Sequence, residues 1–231
     1  MKKAAIFSLC LAALLAGCFT KNEITRYYAI ALDLPKPGTA YECDAALKKI
    51  TIDPAYDRLQ IVYRESPYDF MFYNYDLWAG RPNQLVQKAV KEFFKSANLF
   101  KNLSDNPTEK PDFEILSHID AVEEVDEGQT RYAHLAIAFA FRRVDQDGTL
   151  WQQYFDKTRK LEKNEPREVA REVSHILQEA LAETFRSIDS VLSSIPPDEL
   201  VIVPGASDEP EEEGEAAAIE APGIEEEAAE E

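Results

Sequence analysis

Apolar side chains recur at helical spacing in two segments of the chain. The first segment opens at Pro82, and the second starts at Asn164 and ends before Pro196-Pro197. Proline is accepted in the first turn of a helix, so Pro82 and Pro166 both fit a helix start. The apolar stripes are Leu85, Val86, Ala89, Val90, Phe93 and Phe94 in the first segment, and Val169, Val173, Ile176, Leu177, Leu181, Phe185 and Ile188 in the second. We therefore predict two amphipathic helices.

Alternation of apolar and polar positions predicts five extended stretches. They span residues 26–32, 47–53, 112–122, 132–141 and 150–158. In 132–141, Leu, Ile and Phe alternate with Ala, and a face lined by alanine leaves room for a helix to pack closely. We expect an α+β fold in which a single antiparallel sheet carries both long helices on one face, the alanine face, and a disordered acidic tail follows.

The aromatic segment 58–80 predicts a further hairpin, with its loop at 65–68. In this register Arg64 stands opposite Asp69, and Tyr63 opposite Phe70. Paired residues share a face of the sheet. The expected core face is Leu59, Ile61, Tyr63, Phe70 and Phe72. The expected second face is Gln60, Val62, Arg64, Asp69, Met71, Tyr73 and Tyr75.

The N-terminal residues predict export and lipid attachment. Lys2 and Lys3 precede twelve apolar residues, which are too few to span a bilayer. The sequence Leu-Ala-Gly-Cys that ends at Cys18 resembles the lipobox of bacterial lipoproteins. This resemblance implies that Cys18 becomes an acylated N-terminus. We divide the chain into a signal peptide (1–17), a lipidated tether (18–25), a domain (26–195) and a tail (196–231).

The negative charge of the chain is concentrated in the tail. The net charge is −18, and fourteen Asp and Glu follow from Asp198 onward with no Lys or Arg among them. The tail has too few apolar residues to bury a core, so we expect disorder there. No basic patch with interleaved aromatics occurs in the sequence, which argues against a nucleic-acid partner.

The residues that usually carry chemistry form no recognisable motif. His118, His134 and His175 are scattered over two predicted strands and a helix, without metal-ligand spacing. Cys43 is the one cysteine left in the predicted mature domain, and a packed residue or an inert thiol explains it. The turn at Asp147-Gly148 fits a hairpin better than a calcium loop. We interpret the protein as a non-enzyme without catalytic residues, cofactor or metal.

Ten positions together resemble the ABC-type transport auxiliary lipoproteins, the PqiC-like group. The resemblance is strongest over 26–94, continues to about residue 192, and leaves out the acidic tail. The matching positions are Tyr27, Tyr28, Ile50, Asp57, Arg58, Ile61, Val62, Arg64, Tyr75 and Trp78. Family members often carry Leu at the position of Tyr56 and a Pro near Leu59, and these departures leave the geometry of the turn open.

The resemblance implies a role in lipid transport between the two membranes of a Gram-negative envelope. Such lipoproteins accompany an ABC permease with its ATPase and a periplasmic protein with mammalian-cell-entry (MCE) domains, on which the lipoprotein is thought to dock. The resemblance leaves homo-oligomerisation open. Phe19 after the lipidated cysteine, where Asp would signal retention, favours a periplasm-facing anchor in the outer membrane by analogy with enteric bacteria.

Three functions remain as hypotheses from the sequence. The first is docking on the transporter through an interface of Met71, Tyr73, Tyr75 and Trp78, supported by Arg58 and Arg64, although burial of these aromatics in the monomer is an equally good explanation. The second is a lipid carrier with its own apolar pocket between sheet and helices. The third, an envelope glycan hydrolase, would need two well-placed carboxylates.

Overall fold

The computed structural model describes residues 23–105 and 110–201. The predicted signal peptide, Cys18 and most of the predicted tail lie outside these residues. The described chain forms nine strands and two helices. The strands are β1 (Arg26–Tyr28), β2 (Tyr41–Leu47), β3 (Thr51–Ile52), β4 (Gln60–Arg64), β5 (Met71–Trp78), β6 (Phe100–Ser104), β7 (Phe113–Glu127), β8 (Thr130–Arg143) and β9 (Trp151–Lys160). The helices are α1 (Pro82–Ala97) and α2 (Pro166–Ser194).

The 15-residue strand β7 organises the sheet. On one side it pairs antiparallel with β8 along its whole length, and β8 pairs antiparallel with β9. On its other side, three short strands follow one another along β7, all parallel to it: β2, then β3, then β4. The sheet continues from β4 to β5 and β1, and from β2 to β6.

The expectation of a purely antiparallel sheet was therefore wrong, because the sheet is mixed. The hairpin β7–β8 and its neighbour β9 are antiparallel, as short connections require. The strands that precede α1 pair in parallel with β7, which comes much later in the chain. Such distant pairing leaves no local trace in the sequence, so the alternation pattern could not reveal it.

Both helices pack on one face of the sheet, which we call the helix face. Gln153 pairs with Phe139 across β8 and β9 and donates a hydrogen bond to Glu183 of α2 at 2.6 Å. Phe94 of α1 contacts the ring of Phe100, which contacts Phe141. Two helices on one face are thus confirmed, but the face is the one formed by the large side chains of β8.

The opposite face, the open face, carries the alanines of β8. Ala136, Ala138 and Ala140 pair with Asp156, Tyr154 and Gln152. The prediction that the helices cover the alanines was wrong. The physical reason is that Leu135, Ile137, Phe139 and Phe141 gain more from burial under the helices than alanine does.

The chain between β1 and β2 lies along the helices. The backbone N–H groups of Ala31 and Asp33 donate to Ser174 and Gln178 of α2, at 3.2 and 2.8 Å. Gly38 N–H donates to the carbonyl of Ala97, where α1 ends. Of the predicted strand 26–32, β1 therefore keeps three residues, and the chain after it runs past α2 at Ala31 and Asp33 and reaches α1 at Gly38. In the described part of the chain no helix is long and apolar enough to cross a membrane.

Candidate functional site

The hairpin β4–β5 has a register different from the predicted one. Tyr63 pairs with Met71 and Val62 with Phe72, and an irregularity then places Gln60 opposite Leu77. The predicted pairs with Tyr63 and Ile61 are thus displaced. Because a shift of one residue moves every side chain to the other face, Phe70 and Phe72 leave the expected core face.

An aromatic patch lies on the open face at this hairpin, formed by Tyr56, Arg58, Phe70 and Phe72. Phe72 shares the open face with Glu123, because Val62 pairs with both residues. The rings of Tyr56 and Phe70 are 5.2 Å apart, and those of Phe70 and Phe72 are 5.8 Å apart. The guanidinium of Arg58 lies 4.0 Å from the centre of the Phe72 ring. Phe70 and Phe72 are 37% and 36% exposed.

A buried charge cluster supports the patch from the centre of the sheet. Glu123 is fully buried and forms an ion pair with Arg64. Its carboxylate also accepts a hydrogen bond from the hydroxyl of Tyr56 at 2.8 Å and contacts His134 Nδ1 at 3.0 Å. Burial raises the pKa of Glu123, but the hydrogen bonds from His134, Arg64 and Tyr56 outweigh it and hold the pKa below its usual value. The cluster fixes Tyr56 and hence the base of the patch.

A second buried carboxylate occupies the helix face one residue later. Glu124 pairs with Tyr63 and Ala133, on the side where Arg159 reaches α2. The hydroxyl of Tyr73 lies 3.0 Å from both carboxylate oxygens, and Arg131 lies 3.0 Å from one of them. Burial nevertheless raises the pKa of Glu124 above its ordinary value.

The six predicted interface residues do not come together on one surface. Arg58 and Arg64 lie on the open face, as described above. Met71 and Tyr73 lie on the helix face, where Tyr73 packs against the ring of Tyr63 at 4.8 Å. Tyr75 is 42% exposed. Trp78 is 1% exposed and belongs to the core, beside Tyr28 of β1.

Sequence reasoning assigned Leu59, Phe70 and Phe72 to the core, whereas all three are more than a third exposed. The correct hairpin register is the information that would have identified them as exposed. The loop of four residues seemed supported by a closing Arg64–Asp69 pair, but Asp69 instead accepts a hydrogen bond from Ser66 at 2.7 Å, within the turn. Arg64 instead pairs with Glu123, which lies 59 residues away in the sequence.

The remaining features of the described residues offer little for chemistry. Cys43 is buried, and burial, followed by the nearby carboxylates, raises its thiol pKa to about 12. Within 23–105 and 110–201, no three His, Cys, Asp or Glu side chains are grouped so as to hold a metal ion. The surface clefts of about 740 and 450 Å³ are lined mainly by polar and charged residues.

Comparison with known protein families gives a match over most of the domain. The family model of the ABC-type transport auxiliary lipoprotein component matches residues 34–184, which is more than half of the chain. This match confirms the resemblance found in the sequence. No curated protein is similar enough to match the chain.

Solved structures share the fold at low sequence identity. A Xanthomonas campestris protein of the DUF330 family superposes with a TM-score of 0.64 at 13% identity, over 73% of this chain and 98% of that one. The crystal structure of an uncharacterized protein gives a TM-score of 0.58 at 13% identity, over 72% of this chain and 99% of the other. At such identity the likeness concerns the fold alone.

Proposed function

The chain belongs to the family of ABC-type transport auxiliary lipoproteins, and we propose that it is the envelope-anchored docking component of a lipid transporter. In this role it binds the periplasmic MCE-domain protein, which works with an ABC permease and its ATPase to move lipids between the inner and outer membranes. It acts by binding and carries no catalytic site of its own. The family membership supports the general role, and the aromatic patch supports docking as the way in which it acts.

The aromatic patch is the observation that carries this proposal. Two phenylalanines are more than a third exposed, next to each other, with an arginine stacked on one of them. Aromatic and arginine side chains are enriched at the cores of protein interfaces. Such a group has little reason to face water on an isolated domain.

The patch rests on a framework that keeps it rigid before binding. Arg64 and Tyr56 are fixed by the buried Glu123. On the other side of β5, Tyr73 is held by Glu124. Of the residues expected from the sequence, we therefore propose that Arg58, Arg64 and Tyr75 contact the partner. Met71, Tyr73 and Trp78 would then contribute by holding β5 in position. A rigid surface loses less conformational entropy when a partner binds.

The lipid anchor completes the proposal. We propose that Cys18 carries the acyl chains and that the anchor lies in the outer membrane, with the domain in the periplasm. The family is one of lipoproteins, which supports an association with the cell envelope. Two or more acyl chains are needed for stable anchoring.

The alternative function, a carrier with its own lipid pocket, is less well supported. A lipid-binding cavity is usually concave and lined mostly by apolar side chains. The cleft of about 740 Å³ is bordered by Lys95, Asn98, Lys101, Asn102 and Asp105, among others. Polar walls of this kind would not shield a lipid tail from water. Native mass spectrometry of the purified protein would reveal a bound lipid if this function were the correct one.

The docking proposal can be tested by recovery of partners from membranes. The full-length protein, extracted with mild detergent, is expected to bring along an MCE-domain protein or its permease, identified by mass spectrometry. A Phe70→Ser, Phe72→Ser variant should lose this recovery. The matched control is Tyr154→Ser, which changes an aromatic side chain of similar exposure (38%) on the same open face.

Equal recovery by the patch variant and the wild-type protein would contradict the docking surface. Loss of recovery in the control as well would show that any change on the open face disturbs the domain, and the patch would then carry no special role. Circular dichroism of both variants checks that they are folded.

A further inference from the structure

The direction of β1 shows where the N-terminal tether leaves the domain. Strand β1 pairs parallel with β5, with Arg26 opposite Asp76 and Tyr28 opposite Trp78. From Arg26 toward the N-terminus, the chain therefore runs in the same direction as β5 from Asp76 toward Met71. The end of the sheet in that direction is formed by the turn 65–70 between β4 and β5. The turn between β7 and β8 lies at the same end of the sheet, because Val125 pairs with both Arg64 and Tyr132.

The tether is too short to reach the other end of the sheet. Arg26 is the eighth residue after Cys18, a distance of about 26 Å along a fully extended chain. Asp76 is likewise the eighth residue after Tyr68, so an extended tether would bring Cys18 about level with the turn. Through the pairing of β5 and β4, strand β1 lies at the level of Ala121 of β7. From Ala121 to Phe113, at the opposite end of the sheet, the distance along β7 is eight residues or about 26 Å. To reach that end, the tether would have to reverse and stay fully extended.

The C-terminal segment leaves from this opposite end. Arg143 pairs with Phe113 and donates a hydrogen bond to the carbonyl of Glu199. Leu200 is 5% exposed and packs in the core. The acidic residues that follow therefore start at the end of the sheet away from the tether, and β8, which connects the two ends, has 14 residues and a length of about 45 Å.

The two most exposed large apolar side chains of the described residues both lie on the tether side. Tyr68 in the turn is 95% exposed, and Ile24, two residues before β1, is 77% exposed. The turn itself is braced by Ser66, whose hydroxyl accepts the N–H of Tyr68 and donates to Asp69. Tyrosine is enriched at the level of lipid headgroups, where its ring is partly in hydrocarbon and its hydroxyl in water.

We propose that the domain stands on the bilayer on the end formed by the turn 65–70, with Tyr68 in the headgroup region and the acidic C-terminus pointing away. The inference rests on the proposed acylation of Cys18. Bacterial membranes contain anionic lipids, and a negative surface potential repels an acidic segment. This orientation places the start of the segment at the greatest distance from that surface. The open face then stands sideways to the bilayer, so a partner can still reach Phe72 and, at its edge next to the turn, Phe70.

Depth-dependent fluorescence quenching tests the orientation on the full-length acylated protein. Single cysteines at Tyr68→Cys, Gln152→Cys and Asp147→Cys are labelled with a nitrobenzoxadiazole dye. Cys43 stays unlabelled because it is 1% exposed and its pKa is about 12. The proteins are incorporated into vesicles of phosphatidylethanolamine and phosphatidylglycerol that contain a headgroup nitroxide lipid. Gln152 marks the open face, and Asp147 marks the loop at the opposite end of the sheet.

The expected result is that the dye at position 68 loses most of its fluorescence, while the dyes at 152 and 147 lose little. Equal quenching at positions 68 and 152 would mean that the domain lies on the bilayer with its open face. Stronger quenching at 147 than at 68 would mean that the domain stands on the opposite end of the sheet. Either result overturns the proposal. Little quenching at all three positions would also overturn it. A protein that does not float with the vesicles, and whose N-terminal peptide lacks acyl chains, would overturn the proposed anchor itself. Partner recovery is measured in detergent without vesicles, so a failed orientation leaves the docking proposal standing, and loss of recovery in the Phe70/Phe72 variant leaves the orientation untouched.

Discussion

The two faces of the sheet are built by different interactions, and Glu123 and Glu124 show the difference most directly. These neighbours point to opposite faces, and both carboxylates are fully buried. Glu123 lies on the open face, against Arg64, Tyr56 and His134. Glu124 lies on the helix face, where its partners are Tyr73 and Arg131. The same side chain at the same depth is thus given two different environments.

The pKa values of the two residues move in opposite directions. Burial raises both, because a charged carboxylate is less stable away from water. At Glu123 the hydrogen bonds from His134, Arg64 and Tyr56 outweigh burial, and the pKa is lowered. At Glu124 burial dominates despite Tyr73 and Arg131, and the charge of Asp126 adds to the rise. The hydrogen-bond donors and the charges around the carboxylate, and not its depth, decide the direction.

The comparison teaches how an uncovered sheet face can remain ordered. On the helix face, apolar burial under α1 and α2 supplies the stability. On the open face, small alanines limit the apolar area exposed to water, and hydrogen-bonded charges at Glu123 and at Glu114 cross-link the strands. Phe70 and Phe72 are two exposed rings in contact with each other on this face, which is why we assign them to a partner.

The largest difference between the faces is expected for aromatic truncation. Phe139→Ala on the helix face removes a fully buried ring that packs on Phe155 at 6.1 Å. It should lower the free energy of unfolding by about 4 kcal/mol, because a cavity remains. Tyr154→Ala on the open face should cost less than about 1 kcal/mol. Urea denaturation measures both, and similar losses would show that the open face is covered as completely as the helix face.

The next effect is expected at the two glutamates. Glu123→Gln removes a buried charge and leaves Arg64 and His134 without their main partner, so the free energy of unfolding should fall by about 3 kcal/mol at neutral pH. Glu124→Gln should cost less than about 1 kcal/mol, since the charged form of Glu124 is already disfavoured and Arg131 keeps Asp126 as a partner at 3.0 Å. Urea denaturation of both variants tests this ranking, which a larger loss at Glu124→Gln would reverse.

The pH dependence of stability sharpens the same contrast. The lowered pKa of Glu123 gives stability that is fully present above about 4.3 and is lost as the pH falls through the folded pKa. Hydrogen bonds with Glu123 and Asp156 outweigh burial and raise the pKa of His134, so its contribution is fully present below about 6.5 and is lost as the pH rises through the folded pKa. The open-face cluster should therefore stabilise most between these values. The raised pKa of Glu124 works in the reverse direction, with its contribution fully present below about 4.3.

Thermal melting over this pH range, compared with a His134→Gln variant, measures the effect. The variant should show a smaller loss of stability on the alkaline side of about 6.5 than the wild-type protein. An unchanged pH profile in the variant would mean that His134 does not titrate with the cluster.

The smallest effect on stability is expected at the aromatic patch. Phe72→Ala removes a ring that is 36% exposed and stacked on Arg58. It should change the free energy of unfolding by less than about 1 kcal/mol, the scale of an exposed cation–π contact. Urea denaturation checks this value. A much larger loss would show that the ring belongs to the core of the monomer and would weaken its assignment to a partner surface.

Much of the fold could be predicted from local patterns. The stripe that begins at Pro82 became α1, and the stripe from Val169 to Ile188 became α2. The alternation in 112–122 and 132–141 became parts of β7 and β8, which extend further than predicted. These elements are long, so each contains several repeats of its own period. Strand β6 has five residues and was missed, since so short a segment offers hardly more than one alternation. The seven-residue strand β2 was also missed, and the predicted strand 47–53 is a strand only at Leu47, the end of β2, and at Thr51–Ile52, which form β3.

The candidate site was less accessible to sequence reasoning. Arg58 and Arg64 were expected to support the interface; the structure places Arg58 on the ring of Phe72 and Arg64 against Glu123, but the exposed rings of Phe70 and Phe72 were assigned to the core. Their exposure depends on the pairing of Val62 with Phe72, and a shift of one position would have buried them. The buried partner of Arg64, Glu123, belongs to a strand that the sequence could not place next to β4.

The sequence by itself determined the helices, the long antiparallel strands and the family, because periodicity and ordered motifs are properties of neighbouring residues. The tertiary structure alone decided that β2, β3 and β4 lie parallel along β7, that the helices cover the large side chains while the alanines lie on the opposite face, and that Phe70 and Phe72 are partly exposed to solvent. Each of these depends on contacts between segments far apart in the chain. Their choice follows from how the whole core can best be buried, and no local pattern encodes that.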